Sequence, residues 1–188
     1  MTDLLIQGIQ KNYSFSQEEI DEFQGYLVKK FIRKGDHFLN LNQVSRHIAF
    51  IDSGLSMNYS LHDGIEIPRY FALEGDWIGS IKSFSTGSQS ELAIKALEDT
   101  WIREISAEQM QQLFSSSPRW LLFKNDIVQA VFFNITQQHA DFAMLDAKER
   151  YYKFMREKPH LFNRIPQYYI AAYLGIKPQS LSRIRKEI

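Results

Sequence analysis

Six polar side chains near the end of the chain belong to the types that read and hold DNA: Gln179, Ser180, Ser182, Arg183, Arg185 and Lys186. Arginine can donate two parallel hydrogen bonds to the O6 and N7 atoms of a guanine in the major groove, so Arg183 is the expected base reader. Gln179 and Ser180 are the next candidates for base contacts. Arg185 and Lys186 are expected to position the helix on phosphates. These residues therefore indicate recognition of double-stranded DNA.

Such side chains need a helix to hold them, and residues 164–186 have the pattern of two helices joined by a tight turn. The first helix has one apolar face, on which Ala171 is small enough for a close crossing by the second. Gly175 can adopt the positive φ angle of a sharp turn, and Pro178 suits the first turn of the second helix. Two packed helices with a solvated polar face would have the same spacing.

Charge is distributed unevenly along the 188 residues, although 22 basic and 22 acidic side chains cancel. Residues 147–188 contain ten Lys and Arg against three Glu, a net charge of +7. Residues 1–146 carry 12 basic and 19 acidic side chains, a net charge of −7. A basic segment attached to an acidic body is typical of a phosphate-binding unit joined to a part that does not touch DNA.

The composition and the motifs exclude several classes of protein. Hydrophobic residues make up 44% of the chain, which is enough for a buried core, and Trp77 and Trp101 are expected in it. Cysteine is absent, which excludes disulfides and cysteine-ligated metals. No secretory signal and no apolar run long enough to span a bilayer is present, so we expect a cytoplasmic protein. No catalytic or nucleotide-binding motif is recognisable, so we expect no enzyme.

Residues 1–115 are expected to form a sensor domain with an N-terminal antiparallel β-barrel or jelly roll. Ser16 and Glu19 have the spacing of a capping box at the start of a short helix. Between residues 27 and 106, short runs of branched and aromatic residues alternate with turn signals, as in the strands of a barrel. With the helices that follow, the predicted fold class is α+β.

A long helix is expected over residues 116–142, where apolar side chains recur at four-residue steps: Phe123, Ile127, Val131 and Ile135. Other apolar residues lie between them, so the helix is apolar on more than one side. Such a helix must bury more than one face, and a second copy of the chain is the simplest partner. We therefore expect a homodimer whose helix-turn-helix domain, residues 143–188, reads paired half-sites. The other possibility is that both faces pack within one chain.

The order of these parts resembles the Crp/Fnr family of bacterial transcription regulators over nearly the whole chain. The sharpest local matches are residues 50–54 (Phe-Ile-Asp-Ser-Gly), 75–80 (Gly-Asp-Trp-Ile-Gly-Ser), 96–100, 147–151 and 174–185. The residues of the last two matches resemble those of the family branch that is common in Bacteroidetes. The resemblance implies a cyclic-nucleotide-binding-like sensor whose ligand state passes through a dimerisation helix to paired DNA-reading helices. It also implies RNA polymerase as a partner.

The resemblance further implies a ligand pocket, at Gly79, Ser80, Ser90 and Glu91. Cyclic-AMP-binding members hold the ribose and the cyclic phosphate with a Glu and an Arg, and these positions fall on Ser80 and Ser90. Without the arginine a buried phosphate lacks its bidentate, charge-assisted donor, and Glu91 would repel it. We therefore expect no cyclic AMP as cofactor or effector, and the sequence does not name another effector.

The family usually follows its recognition helix with a two-stranded wing that touches the phosphate backbone, whereas this sequence stops within that helix. Fewer phosphate contacts would weaken binding and flatten its salt dependence. Four basic residues are candidates to replace those contacts, with a solvated basic face as the other interpretation: Lys148, Arg150, Lys153 and Lys158.

Two other functions fit parts of the sequence. A ligand-binding signalling module could use the same C-terminal helices to recruit a protein partner rather than DNA. A jelly-roll enzyme would need about three converging metal ligands, for which His37, His47 and His62 are the candidates. Isolated histidines are more often surface or hydrogen-bonded groups, although a single one would suffice as an axial haem ligand.

Overall fold

The computed structural model describes residues 3–186. The strands in this range are β1 Val28–Ile32, β2 His37–Leu39, β3 His47–Ser53, β4 Leu55–His62, β5 Ile65–Leu73, β6 Trp77–Ile78, β7 Ala93–Ala96 and β8 Thr100–Ser106. The α-helices are α1 Leu4–Asn12, α2 Gln17–Tyr26, α3 Ile81–Thr86, α4 Ala107–Ser116, α5 Pro118–Met144, α6 Ala147–Glu157, α7 Gln167–Tyr173 and α8 Pro178–Lys186. A 3-10 turn, Pro159–Leu161, follows α6.

The strands form two antiparallel four-stranded sheets. The first has the order β1-β8-β3-β6 and the second the order β2-β7-β4-β5. Apolar side chains from the two inner faces meet in one cluster, which includes Ile51 and Ile102 of the first sheet and Ala72 and Ile94 of the second. The predicted antiparallel β-architecture is confirmed, as two facing sheets rather than one continuous barrel.

Part of the outer face of the first sheet, around Phe50 and Ile105, is covered by α1, α2, α4 and the first turns of α5. Phe23 and Trp120 are fully buried there, against Phe50 and Ile105 of the sheet. Their rings contact one another at an interplanar angle of 37°, with centroids 4.9 Å apart. This layer anchors the start of α5 to the sheet.

Local signals predicted the starts of two of these helices. The Ser16 hydroxyl accepts a hydrogen bond from the Glu19 N–H, and the Glu19 carboxylate accepts one from the Ser16 N–H, which closes the predicted capping box. Ser106 and Gln109 form the same arrangement before α4. Helices α1 and α3 were not expected. Trp101 is exposed, and its predicted place in the core was wrong.

The outer face of the second sheet is covered by α6, α7 and α8. Met57 and Phe71 of this sheet share one apolar cluster with Tyr151, Ile170 and Leu181 of the C-terminal helices. The C-terminal helices are therefore not connected to the rest of the molecule through α5 alone. They pack against the second sheet and contribute to its apolar core. The predicted domain divisions at residues 115 and 142 stay predictions.

Candidate nucleic-acid interface

The two C-terminal helices, α7 and α8, are joined by the turn 174–177. Gly175 has a φ of +70°, a left-handed conformation that side chains with a Cβ adopt at a cost. A Cβ at this position would also lie 2.8 Å from Cε1 of Phe142, at the end of α5. Conformation and space both require glycine here, as the sequence predicted from the turn alone.

Helix α8 presents a polar face to solvent while its apolar face is buried. Leu181 is buried against the cluster that contains Ile170 and Ala171 of α7. The exposed side chains include five of the six predicted DNA contacts: Gln179, Ser180, Ser182, Arg183 and Lys186. Within residues 3–186 these five side chains make no hydrogen bond or ion pair, so they are available to a ligand.

Arg185, the sixth predicted contact, differs from the other five. Its guanidinium carbon lies 4.8 Å from the ring centroid of Phe162, and the side chain is half-buried. It also interacts with the hydroxyl of Tyr151. Arg185 therefore packs α8 against α6 and the turn that follows it, and a phosphate would have to share it with these contacts.

Arg150 fixes the turn between α7 and α8 from behind. It donates two hydrogen bonds to the Leu174 carbonyl, at 3.1 and 3.0 Å, and one to the Leu145 carbonyl at 2.6 Å. Its guanidinium also stacks over the ring of Phe142 at 4.7 Å. The sequence presented Arg150 as one more basic residue near DNA, whereas the structure uses it to connect the end of α5 to the turn.

Two further residues of that basic group are engaged inside the molecule. Lys153 donates to both carboxylate oxygens of Asp141 at 2.6 Å. Lys158 is largely buried with its ammonium 5.0 Å from the centroid of Tyr70, and burial lowers its pKa, partly offset by Asp76. With Arg150, three of the four candidates for replacing the wing contacts serve internal packing, and that expectation was wrong for them.

Arg164 attaches the C-terminal helices to the second sheet. Its guanidinium donates two hydrogen bonds to Glu74, at 2.8 and 3.1 Å, and two to Glu98, at 2.7 and 3.0 Å. Burial alone would raise the pKa of Glu74, but hydrogen bonds from Arg164 and from the N–H of Gly54 bring it down to about 2. The arrangement is a charge-assisted clamp that holds the Glu74 carboxylate ionised.

A second polar contact lies across the same interface. The Tyr169 hydroxyl donates to Glu66, which also accepts two hydrogen bonds from Lys95 at 2.6 and 2.8 Å. Burial, with the hydrogen bond to Glu66, raises the pKa of Tyr169. Both contacts join residues more than 60 positions apart in sequence, so sequence reasoning had no signal for them.

The four residues of the predicted ligand pocket do not share one environment. Ser80 and Ser90 are buried and meet the segment between β2 and β3: the Ser80 N–H donates to the Ser45 hydroxyl, and Ser90 pairs through its backbone with Gln43. The Ser90 hydroxyl donates to the Leu92 carbonyl at 2.8 Å. A Cβ on Gly79, the third of the four, would meet Cγ2 of Ile48 at 2.6 Å.

Glu91, the fourth residue, points to solvent and pairs with Lys82 at 2.6 Å. Its carboxylate therefore lies at the rim of the predicted pocket rather than inside it. Whether an effector binds at these four residues stays a prediction, and so does the exclusion of cyclic AMP.

A separate cleft of about 230 Å³ opens near one end of the first sheet. Its lining includes the Lys30–Glu104 ion pair, Arg46 and His47. His37 is on the second sheet, where its ring shares a hydrogen bond with the Tyr59 hydroxyl, and His62 is exposed at the end of β4. No group of three or more His, Cys, Asp or Glu suited to a metal occurs in residues 3–186, so His37, His47 and His62, the candidates for the less favoured metal-centre alternative, do not converge there.

The apolar face of α5 is divided between two environments. Phe123 is 6% exposed and packs with Trp77 and Trp120, and Ile127 contacts the same cluster. These two residues were predicted at a dimer interface, which for Phe123 was wrong because the first sheet and its helices cover it. Other apolar residues of α5 are exposed, and they include Leu121, Leu122, Val128, Val131, Phe132, Phe133 and Ile135.

Comparison with known proteins places this arrangement among solved folds. No family model matches the chain, and no curated protein matches it in sequence. FixK2 from Bradyrhizobium japonicum matches with a TM-score of 0.76 and 17% identity, over 86% of this chain and 83% of FixK2. A structure described as a Crp/Fnr-family transcriptional regulator, from Eubacterium rectale, matches with a TM-score of 0.75 and 19% identity, over 95% and 85%.

A third match is CLP of Xanthomonas campestris, described as a c-di-GMP-responsive global regulator. Its TM-score is 0.71 at 17% identity, over 92% of this chain and 91% of CLP. The similarity to these three structures shows that this chain shares their fold. Among the described residues, no helix has the combined length and apolar character needed to cross a membrane.

Proposed function

We propose that this protein is a DNA-binding transcription regulator of the Crp/Fnr type, which reads a palindromic site as a homodimer. The observation that carries this proposal is the exposed polar face of α8. Five side chains of the types that contact DNA lie exposed on this short helix and have no hydrogen-bond or ion-pair partner within the described residues. The opposite face of the helix is buried in the apolar cluster that it shares with the second sheet. A rigid helix with free donors is what recognition of base edges requires.

Dimerisation is supported by the uncovered part of α5. Phe132 and Phe133 are 60% and 63% exposed, and Val131 and Ile135 extend the same apolar surface. Contiguous exposed apolar residues on one helix are typical of a protein–protein interface. A second copy of α5 is the partner proposed, because a two-fold pair of α8 helices can contact two half-sites.

The two facing sheets are proposed to carry the effector response. The core shared by the second sheet and α6–α8 gives a direct mechanical path, because a change in the sheet must be transmitted to the helices packed on it. Cyclic AMP is not proposed as the effector, since Ser90 offers a phosphate no positive charge and its hydroxyl is engaged with Leu92. RNA polymerase as a partner and the cytoplasm as location belong to the same proposal.

The test is selection of binding sites from a pool of random double-stranded DNA by the full-length protein. The proposal expects enrichment of a two-fold symmetric sequence whose half-sites lie about one helical turn apart. The same selection with Gln179→Ala/Arg183→Ala is the control, because both side chains are exposed and their loss should leave the fold intact. Enrichment of no sequence by the unaltered protein, at low as well as moderate salt, would contradict DNA reading.

A further inference from the structure

Strand β1 lies at the edge of the first sheet and has one neighbour, β8. In such a strand alternate N–H and C=O groups point away from the sheet, where another extended segment can pair with them. Four of the five β1 residues are exposed, Val28 to Phe31. Neither α1–α5 nor the C-terminal helices cover this edge within residues 3–186.

An aromatic pair lies on the outer face beside this edge. Phe31 faces Trp101 directly across the β1–β8 ladder, with ring centroids 5.0 Å apart. The two side chains are 45% and 42% exposed. The helices on this sheet pack on Phe50 and Ile105 instead and leave the pair uncovered. Exposed Phe and Trp side by side are enriched at interfaces and uncommon on a free surface.

Strand β1 and the turn that follows it are rich in basic residues. Residues 28–34 contain four cationic side chains and no acidic one: Lys29, Lys30, Arg33 and Lys34. Lys30 pairs with the buried Glu104 at 2.5 Å, and the Lys29 ammonium lies 4.8 Å from the Trp101 ring. Arg33 and Lys34 are exposed, and their side chains have no ion pair within the described range. This concentration stands on a part of the chain whose net charge is negative.

The charge decides which segment can occupy the edge. A second copy of β1 would bring lysines and arginines face to face, and like charges across a ladder are destabilising. An acidic segment would be attracted instead, because its carboxylates would face Lys29, Arg33 and Lys34. Backbone pairing along β1 favours an extended peptide over a nucleic acid, which has no matching ladder of donors and acceptors.

We propose that β1 is a docking edge for an extended acidic segment of a protein partner, which adds to the first sheet as a fifth strand. Its carboxylates lie near Lys29, Arg33 and Lys34, and an apolar side chain of the segment covers Phe31 and Trp101. The surface is distinct from the proposed DNA-reading face, because β1 is in the first sheet whereas α8 packs on α7 and shares the apolar cluster of the second sheet.

The experiment titrates the full-length, 15N-labelled protein with three synthetic peptides. One repeats Glu-Thr-Val-Thr, so that Glu and Val share one face (the Val/Glu peptide), one repeats Lys-Thr-Val-Thr (the Val/Lys peptide), and one is the Val/Glu peptide with every backbone amide methylated. Binding is followed by the indole N–H signals of Trp77, Trp101 and Trp120. Of these three residues only Trp101 lies beside β1, so its signal reports on the proposed site and the other two serve as references. The Val/Glu peptide should move the Trp101 signal and bind about tenfold or more tightly than the Val/Lys peptide. Methylation should abolish the shift, because it removes the pairing N–H groups.

Variants separate the surface from the fold. Phe31→Thr should weaken the Val/Glu peptide about fivefold or more. Leu61→Thr, at a similarly exposed residue of β4, should leave it unchanged. Arg33→Glu tests charge without touching the aromatic pair, and should weaken the Val/Glu peptide and strengthen the Val/Lys peptide. None of these variants should alter DNA binding, so failure here and failure of the proposed regulator function are distinguishable.

Four results would overturn the proposal. The first is no movement of Trp101 with the Val/Glu peptide, and the second is equal affinity for both charge types. The third is dependence of the Trp101 signal on protein concentration alone, which would assign the edge to a second copy. The fourth is tighter binding of single-stranded oligothymidylate than of the Val/Glu peptide at the same signal, which would assign it to nucleic acid.

Discussion

Arg164 Nη2 lies 2.8 Å from Glu74 Oε1, and this contact joins the C-terminal helices to the end of β5. The same nitrogen lies 2.7 Å from Glu98 Oε2, so one guanidinium bridges two carboxylates, in the connections that follow β5 and β7. Because Arg164 precedes α7 and α8, the contact restricts how those helices can turn relative to the sheet. The orientation of the exposed polar face of α8, the proposed DNA-reading face, therefore depends on a few polar contacts as well as on the apolar core beneath it.

Removal of the guanidinium should destabilise the protein. Arg164→Met leaves Glu74 and Glu98 close together without a counter-charge, and should lower the free energy of unfolding by about 1–2 kcal/mol. The side chains keep partial contact with solvent, which reduces the effect below that of a fully buried pair. Urea denaturation measures it. Arg156→Met is the matched control, since the exposed Arg156 only approaches Glu157 at 3.8 Å, and should have little effect.

The clamp should also make stability depend on pH. The pKa of Glu74 is about 2 in the folded protein and 4.5 for the free side chain, so the folded state binds its proton less tightly. The corresponding stability is present above about pH 4.5 and is lost as the pH falls toward 2. Thermal unfolding of the unaltered protein and of Arg164→Met across this range should show the two curves converging at low pH. Parallel curves would show that the clamp does not set the pKa of Glu74.

Substitutions at two glycines distinguish the energetic cost of a left-handed backbone from the cost of steric crowding. Gly64 and Gly175 have φ angles of +77° and +70°, but only Gly175 has a neighbour at the position of an added Cβ, Cε1 of Phe142. Gly64→Ala should cost about 1–2 kcal/mol for the left-handed conformation alone. Gly175→Ala should cost more, and Phe142→Leu in the same chain should recover part of the difference. Calorimetric unfolding measures all three, and equal costs for the two glycines would contradict the close contact.

The proposed dimer depends on the uncovered part of α5. Phe132→Ser combined with Phe133→Ser should weaken self-association about tenfold or more, because interface energy is concentrated in a few large side chains. Sedimentation velocity over a concentration series measures the effect. Leu61→Ser removes an apolar side chain of similar exposure elsewhere and should not change it. A protein that stays monomeric before any substitution would rule out the dimer outright.

Two basic residues of α8 should have different roles on DNA. Arg183→Ala should relax sequence preference at one position of each half-site, with a loss of roughly 1–3 kcal/mol for the preferred base. Lys186→Ala should weaken all sequences about equally and lower the salt dependence by about one phosphate contact. Fluorescence anisotropy with a set of single-base variants of the site, at two salt concentrations, separates the two. Identical profiles would show that the roles are assigned wrongly.

Short-range patterns predicted much of the C-terminal unit. The turn around Gly175, the start of α8 at Pro178 and the buried side of α8 at Leu181 follow from signals within about ten residues, and the structure has them in place. The capping boxes at Ser16 and Ser106 were predictable for the same reason. Backbone conformation and helix periodicity are local properties, which is why the order of residues was sufficient there.

Other features required knowledge of what lies opposite each residue. Phe123 and Phe132 are both phenylalanines of α5, yet Phe123 is buried under the helices of the first sheet and Phe132 is exposed. Arg150 and Arg183 are both arginines of a basic segment, but Arg150 binds the Leu174 carbonyl and Arg183 is free for a ligand within the described range. Trp101 was expected inside and lies outside, because no helix extends over its part of the sheet.

The sequence by itself determined the antiparallel β-architecture, the long helix and the two C-terminal helices joined by the turn at Gly175. Tertiary structure decided which basic and apolar side chains remain available for a partner. It placed Arg164 between Glu74 and Glu98, more than 60 residues away in the chain, and left Phe31 and Trp101 uncovered. The physical reason is that a side chain's chemistry is fixed locally, whereas its burial and its counter-charges depend on segments that only folding brings together.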